Sequence, residues 1–365
     1  MAAGNDGQAD RALGLHRVQV PADMANGLTV GACDAPPPDK PWSRAGYSSM
    51  GPGRQGNHIQ PAGVQFGGVC GREFPILTAD GSFLSEIGTS FAAPLATHAL
   101  ADLATRLPDP NSSVLRAFAV HFAERPRHHR KLQDEVGHGR LPLSFVDCLD
   151  CAPNEVHVLY VDEIARGELL GYQVPIPSGP TGDLDVRITL TYASPVEPTQ
   201  PTEYTRASLE LTLRPDQQCY RFTPPKGSTD KPVELDITSP EAYSLLASGW
   251  TPSQEPVTKP VTKGLGSGGR LPEYLLRDNG KWETLRSARI GLASGEANGP
   301  RLEVSYVGRR AGALDASPPQ IPFALLITAV DTSGARDFYD RTRAQFAALR
   351  PVQRVATQTR VRASH

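Results

Sequence analysis

The sequence lacks several features that would point to particular classes of protein. Its 365 residues carry a formal net charge of −2, which gives no indication of a nucleic-acid or membrane-surface partner. No apolar run approaches the roughly 18 residues that a membrane-spanning helix requires. The N-terminus also lacks a basic segment followed by an apolar one, the pattern of a secretory signal. We therefore expect no nucleic-acid or membrane contact and a cytoplasmic location.

Cysteine is scarce as well. The five cysteines are an odd number and are spread along the chain, so they do not suggest a disulfide framework. Cys148 and Cys151 form a CxxC pair, but a zinc site usually needs a second pair. We interpret them as free thiols, with a metal or redox role as the alternative, and we expect no metal and no cofactor.

The first part of the chain, residues 1–151, has a mixed pattern of strands and helices. The run GLTVGAC from Gly27 to Cys33 predicts a buried strand. The stretch GTSFAAP predicts a helix beginning near Thr89 or Ser90, because Pro94 fits best in a first turn. Residues 113–123 have apolar positions at helical spacing and predict a second helix. This pattern indicates an α/β fold.

Ser90 has two interpretations. A serine or threonine at the start of a helix is a common N-cap, which would account for the hydroxyl. It would not account for the pattern G-T-S-x-A-A-P over residues 88–94, whose six fixed positions arise by chance at roughly one start in 10⁷. The pattern resembles the nucleophile motif of the subtilisin-like serine proteases, the subtilases, with Ser90 as the matching nucleophile. The segments YSSMGP, residues 47–52, and EVGHGRLPL, residues 135–143, also resemble subtilase segments.

A second motif, AAGNDG over residues 2–7, resembles the oxyanion-hole segment of the subtilases, and Asn5 is the matching asparagine. The resemblance implies a serine endopeptidase in which Ser90 attacks a peptide carbonyl. The Asn5 amide and the Ser90 backbone N–H would stabilise the resulting oxyanion. It further implies substrate-binding roles for four residues: Ala2, Ala3, Gly4 and Thr89. Taken by itself, Asn5 is also typical of a turn.

The catalytic Asp and His of the family are missing from the chain. In subtilases both precede the oxyanion asparagine, whereas only four residues precede Asn5, none of them acidic or a histidine. We interpret His16 as a loop or surface residue and His98 as a core or helix-face residue. We therefore expect the C-terminal part of a longer, truncated protease that is inactive as it stands. A deliberately catalysis-free protein is the alternative.

A second hypothesis for the function comes from a different class. A remnant protease domain could carry a non-catalytic module that binds proteins or peptides. An in-frame Asp-Thr/Ser-Gly and His-Gly-Thr upstream of Met1 would favour the protease, whereas a stop codon there would favour the remnant.

From residue 152 to 349 the pattern changes to strands. Seven β-rich runs predict an antiparallel β-sandwich or jelly roll, interrupted by a long Pro/Gly-rich insertion near 215–281. We expect this part to fold by itself. Residues 336–351 predict a terminal helix, and residues 350–365, with four arginines and no acid, predict a basic flexible tail.

A β-sandwich of this kind follows the peptidase domain in a bacterial subgroup of subtilases that is often encoded beside an AAA-type ATPase. The resemblance therefore implies a protein or peptide substrate and an ATPase of that type as a partner.

Overall fold

The computed structural model describes residues 1–35, 40–126, 129–179, 181–254, 259–260, 280–309 and 320–350. The first part of the chain contains the strands β1 (Val30–Cys33), β2 (Gly63–Phe66), β3 (Phe74–Leu77) and β4 (Phe83–Glu86) and the helices α1 (Thr89–Arg106), α2 (Ser112–His121) and α3 (Gln133–Val136). None of the helices within the described ranges combines the length and the apolar character needed to cross a membrane.

The second part is mainly built from strands. They are β5 (Glu155–Ala165), β6 (Leu169–Gln173), β7 (Leu184–Tyr192), β8 (Ala207–Arg214), β9 (Cys219–Thr223), β10 (Val233–Asp236), β11 (Thr251–Ser253), β12 (Lys259–Pro260), β13 (Leu285–Leu292), β14 (Arg301–Gly308) and β15 (Gln320–Asp331). Two helices accompany them, α4 (Pro240–Ala247) and α5 (Phe338–Gln345). α5 lies within the predicted terminal helix, and residues 351–365 of the predicted tail lie outside the described residues.

A small parallel sheet is the frame of the first part. β1 pairs with β2 in parallel over four residues. Isolated parallel bridges extend the pairing on both sides, from Ala2 to Val30 and from Val64 to Arg140. Because the carboxyl ends of parallel strands meet at one edge, the loops after these stretches converge there. The predicted strand of residues 27–33 is present in its second half, as β1.

α1 packs its small side chains against this sheet. Ala92 and Ala96 are buried in one apolar cluster with Val30. The helix begins at Thr89, as predicted, but Pro94 is its sixth residue and lies in the second turn rather than the first. The missing Pro94 N–H removes only one helical hydrogen bond, close to the exposed end of the helix, so the helix continues through it.

All seven predicted strands of the second part are present, as β5 to β8 and β13 to β15. Together with the short β12, which the sequence did not predict, they build two antiparallel four-stranded sheets, with strand orders β12-β8-β14-β6 and β13-β7-β15-β5. A single apolar cluster contains Ile188 and Leu190 of one sheet and Leu209 and Leu211 of the other. The two sheets therefore share one hydrophobic core.

The segment 215–281 contains elements that the sequence did not predict. β9, β10 and β11 form a three-stranded antiparallel sheet, and α4 lies between β10 and β11. The strands are short and partly exposed, so they show little apolar alternation. The helix did have a signal: Ser239 caps it by accepting the Ala242 N–H at 3.1 Å, and Pro240 follows at the first helical position.

The two parts of the molecule share buried surface. Along β15, Leu325 faces the core between the two sheets, whereas Ala324 and Leu326 pack with Leu103 of α1 and Phe118 of α2. Burial on both faces explains why most of β15 is apolar instead of alternating. These contacts argue against the expectation that residues 152–349 fold alone, because removal of the first part would expose this apolar face.

Candidate active site

Ser90 lies where the loops at the carboxyl edge of the parallel sheet meet the start of α1. It is the second residue of the helix and is exposed. The residue at the N-cap is Gly88, whose N–H donates to the Gly67 carbonyl at 2.8 Å. Within the described ranges no hydrogen bond engages the Ser90 hydroxyl. The interpretation of Ser90 as an N-cap is therefore wrong, because Gly88 takes that position.

Asn5 is held against the start of the same helix. Its Oδ1 accepts the Thr89 backbone N–H at 2.9 Å and the Thr89 hydroxyl at 3.0 Å. Because a backbone N–H can bond only to an acceptor, these contacts identify the amide oxygen and leave Nδ2 directed away from Thr89. Nδ2 lies 3.5 Å from the position that a Cβ on Gly88 would occupy. The amide N–H₂ is thus presented beside the helix N-terminus that carries Ser90.

Thr89 connects the two motifs. Its side chain is buried, and its hydroxyl accepts the Gly4 N–H at 3.2 Å while donating to Asn5. A side chain that is 1% exposed and bonded on both sides has little surface left for a substrate. The geometry gives Thr89 a positioning role for Asn5, and the substrate contact expected from the sequence stays a prediction.

The segment from Ala2 to Gly4 packs mainly against the interior of the first part. Ala3 is 2% exposed and packs with Val18 and Ala22, and Ala2 packs against the cluster below α1. The side chains of Ala2 and Ala3 are therefore parts of the core, and a pocket wall here would be formed by backbone. Gly4 has a φ of 105°, and a Cβ at this position would lie 2.9 Å from the Ser49 Oγ. Only glycine fits this turn without strain.

Ser49 supports the Asn5 segment, a role that the sequence alone did not reveal. Its N–H donates to the Gly4 carbonyl at 2.9 Å, and its Oγ accepts the Asp6 N–H at 3.1 Å. The signal was present, because Ser49 belongs to the YSSMGP segment, but no role had been attached to it. The two bonds fix the backbone on either side of Asn5.

The histidines are the candidate bases for Ser90. His98 is exposed on α1, and the His16 carbonyl pairs with the Met50 N–H in a loop. His121 and His157 bond to threonine hydroxyls of the second part, and the His129 ring lies 2.8 Å from the Gly137 carbonyl. No hydrogen bond joins any histidine within the described ranges to Ser90. The structure therefore brings together Asn5, Thr89 and Ser90, and no histidine of the described residues is hydrogen-bonded to Ser90.

The cysteines show no sign of a metal or redox centre in the part of the chain that the structure describes. Cys148 and Cys151 are free thiols, and no group of three or more His, Cys, Asp or Glu residues there could hold a metal ion. Burial raises the pKa of the Cys148 thiol to about 11 and also raises that of Cys151. Both side chains therefore remain protonated thiols at neutral pH.

A comparison with known protein families gives a match in the first part of the chain. Residues 1–139 match the model of the subtilase family, which confirms the resemblance over this stretch. No curated protein matches the chain. A structure of the subtilase cytotoxin SubAB assembly is 20% identical over 39% of this chain and 45% of its own, with a TM-score of 0.31.

Two structures of infectious bursal disease virus also match part of the chain. The VP2 subviral particle of infectious bursal disease virus is 10% identical over 51% of this chain and 36% of its own, with a TM-score of 0.23. The Gx strain of the same virus gives 12% identity, 51% and 32% coverage and a TM-score of 0.18. The chain thus spans less than half the length of each of these three structures, and all three TM-scores are too low to support an inference.

Proposed function

We propose that the first part of this chain is the nucleophile-bearing portion of a serine endopeptidase of the subtilisin type. The observation that carries the proposal is the orientation of Asn5, whose amide oxygen is bonded to Thr89 so that its N–H₂ remains available beside Ser90. Attack of a hydroxyl on a peptide carbonyl creates a negative charge on oxygen, and preorganised N–H groups stabilise that charge. The Asn5 amide and the Ser90 N–H at the start of α1 are the two donors, and the helix N-terminus adds partial positive charge.

The Ser90 hydroxyl needs a base to accept its proton when the carbon–oxygen bond forms. Because the chain has no Asp and His in the surroundings typical of the family, we propose that both are contributed by a polypeptide segment outside residues 1–365. The chain alone would then be inactive. The same base would return the proton to the leaving amine, so that the acyl-enzyme forms with no net change in the protonation of the site.

An open edge of the parallel sheet offers a place for such a segment. The backbone of Ala3 and Met1 bonds to Val30 beside the isolated parallel bridge between Ala2 and Val30. A cavity of about 320 Å³ next to Met1 is lined mainly by apolar side chains, among them Leu28, Leu100 and Leu115. Within the described ranges the N–H and C=O of Ala2 have no partner, so an added strand could pair with them. We propose that the segment docks here as a further parallel strand.

For the second part we propose a β-sandwich, which the core shared by the two four-stranded sheets supports. A protein or peptide substrate follows from the proposed chemistry. An AAA-type ATPase partner rests on the resemblance alone, and a cytoplasmic location rests on sequence features alone; both stay predictions.

The proposal is tested by restoring the missing groups. A natural upstream segment that contains the Asp and His motifs, fused in frame or co-expressed, should produce peptidase activity. Ser90→Ala should abolish it. Asn5→Ala should lower kcat by roughly 10² to 10³ with little change in KM, the range known for the corresponding amide of subtilisin, a member of the family. If Ser90→Ala leaves turnover intact, the site is not catalytic and a binding module becomes the better explanation.

A further inference from the structure

A chain of buried polar side chains crosses the contact between α2 and the second part. Nδ1 of His121, at the end of α2, lies 2.9 Å from the Thr189 Oγ1 of β7, and its Nε2 lies 2.7 Å from the Thr328 Oγ1 of β15. The same Thr328 Oγ1 lies 2.7 Å from Nδ1 of His157 on β5. His121 is 1% exposed, Thr189 0% and Thr328 5%. Two imidazoles from different parts of the molecule thus share one hydroxyl.

The hydrogen bonds determine where the protons lie. Thr189 donates to the Ser287 Oγ at 3.0 Å, so it accepts from Nδ1–H of His121. A neutral His121 then has its lone pair on Nε2 and accepts the Thr328 O–H. Thr328 in turn accepts from Nδ1–H of His157. Among the ring nitrogens of His121 and His157, only Nε2 of His157 keeps a lone pair that none of these hydrogen bonds uses.

The charged groups around His121 and His157 are mostly positive. The Arg187 guanidinium of β7 donates to the His121 carbonyl at 2.5 Å, and Arg125, after α2, donates to the Ser287 Oγ at 3.1 Å. The neighbouring Arg289 is paired with Asp185. The nearest carboxyl is Glu155, 3.6 Å from Nε2 of His157, and the Cys151 thiol accepts the His157 N–H.

Aromatic packing closes the space around both rings. The Phe122 ring meets His121 and His157 edge to face, with centroid distances of 4.9 and 5.1 Å. A cation formed here would lose most of its hydration. The rings are therefore held in a site that favours the neutral form.

We propose that this row of hydrogen-bonded side chains, from Thr189 through His121 and Thr328 to His157, is an acid-sensitive lock between the two parts of the molecule. The parts are held together while both imidazoles are neutral, and protonation of His157 at Nε2 loosens the contact of α2 with the sheet of β5, β15 and β7. His121 cannot accept a proton without displacing the Thr328 hydroxyl hydrogen, so His157 is the point of entry.

The direction of the pH dependence follows from the shifts. Burial, and then Arg187, lowers the pKa of His157 from 6.5 to about 4 and holds that of His121 well below its usual value. Burial also raises the pKa of Glu155, which weakens its ability to compensate a cation on His157. The closed form therefore binds fewer protons than the open form, and its stability is complete above pH 6.5 and lost as the pH falls towards 4. For His157 alone, the ratio of closed to open molecules should fall by about 70-fold between pH 7.5 and 4.5.

The first test follows the imidazole signals of the wild-type chain by two-dimensional ¹H–¹⁵N NMR from pH 7.5 to 3.5. We expect both rings to be in the Nδ1–H form at neutral pH, and His157 to titrate near pH 4. Titration of His157 near pH 6.5 would overturn the proposal. Because this measurement uses the wild-type protein, its result tests the proposal even if a variant fails to fold.

The second test compares variants. Between pH 7.5 and 4.5 the folding constant from urea unfolding should fall about 70-fold less in His157→Gln than in wild type. The matched control His98→Gln, on the exposed face of α1, should keep the wild-type pH dependence. Amide hydrogen exchange, corrected for its intrinsic pH dependence, should rise in α2 before it rises in β8 and β14. An unchanged pH dependence in His157→Gln, or a simultaneous rise in all three elements, would contradict the lock.

Discussion

Replacing Leu326 by alanine should destabilise both parts of the molecule at once. Leu326 is 1% exposed and packs with Leu103 of α1 and Phe118 of α2, although it belongs to a strand of the second part. Truncation of a buried leucine to alanine costs about 2 to 5 kcal/mol, depending on how far the surroundings collapse. Here the cluster is held from both sides by a strand and two helices, so collapse is limited. We expect a loss of about 3 kcal/mol or more.

Tryptophan fluorescence can follow the two parts separately. Trp42 is 8% exposed in the first part, and Trp282 is 4% exposed in the second. In versions that keep only one of these residues, the urea transitions should coincide, and Leu326→Ala should shift both by the same amount. Leu169→Ala, at a residue 58% exposed on β6, is the control and should change stability by no more than about 0.5 kcal/mol. A shift of the Trp282 transition alone would refute the shared core.

Three further predictions concern the same features. A fragment of residues 152–349 should show no cooperative thermal transition, because the face of β15 that α1 and α2 cover would be exposed; a sharp transition by circular dichroism would show that the part is autonomous. Ser90→Ala should change the free energy of unfolding by no more than about 0.5 kcal/mol, since the side chain is exposed; a larger loss by urea titration would indicate a structural role. Thr89→Val should lower the free energy of unfolding by about 1 to 3 kcal/mol, because the Gly4 N–H loses its acceptor, whereas Thr89→Ser should not. Equal stabilities of the two variants by calorimetry would contradict the role of Thr89 in anchoring Asn5.

The elements with a strong local pattern could be predicted from the sequence. The start of α1 and seven of the eight strands of the two larger sheets are present where the pattern indicated them; the eighth, β12, was not predicted. Their signals are local: apolar periodicity, small residues on one helix face and turn residues at the ends. The resemblance of residues 88–94 and 2–7 to subtilase motifs likewise depends on short contiguous stretches.

The features that the sequence did not reveal depend on contacts between distant residues. The Thr89 hydroxyl bonds to Gly4 and Asn5, more than 80 positions away, and the motif around Thr89 could not show this contact. The apolar character of β15 was visible, yet the sequence could not show that its second face is covered by α1 and α2. The periodicity of apolar residues shows that a face of a strand is buried, but it does not show which element covers that face.

Fluorophosphonate labelling of the isolated chain tests the central claim most directly, because the reagent reacts with a serine hydroxyl that has an activating base. The account predicts slow, incomplete labelling of Ser90, since Asn5 and the helix N-terminus can stabilise charge but cannot accept the proton. It also predicts a much faster reaction once a segment carrying the Asp and His is supplied. Rapid stoichiometric labelling of the chain alone, abolished by Ser90→Ala, would show that residues 1–365 already contain the base and would contradict the account.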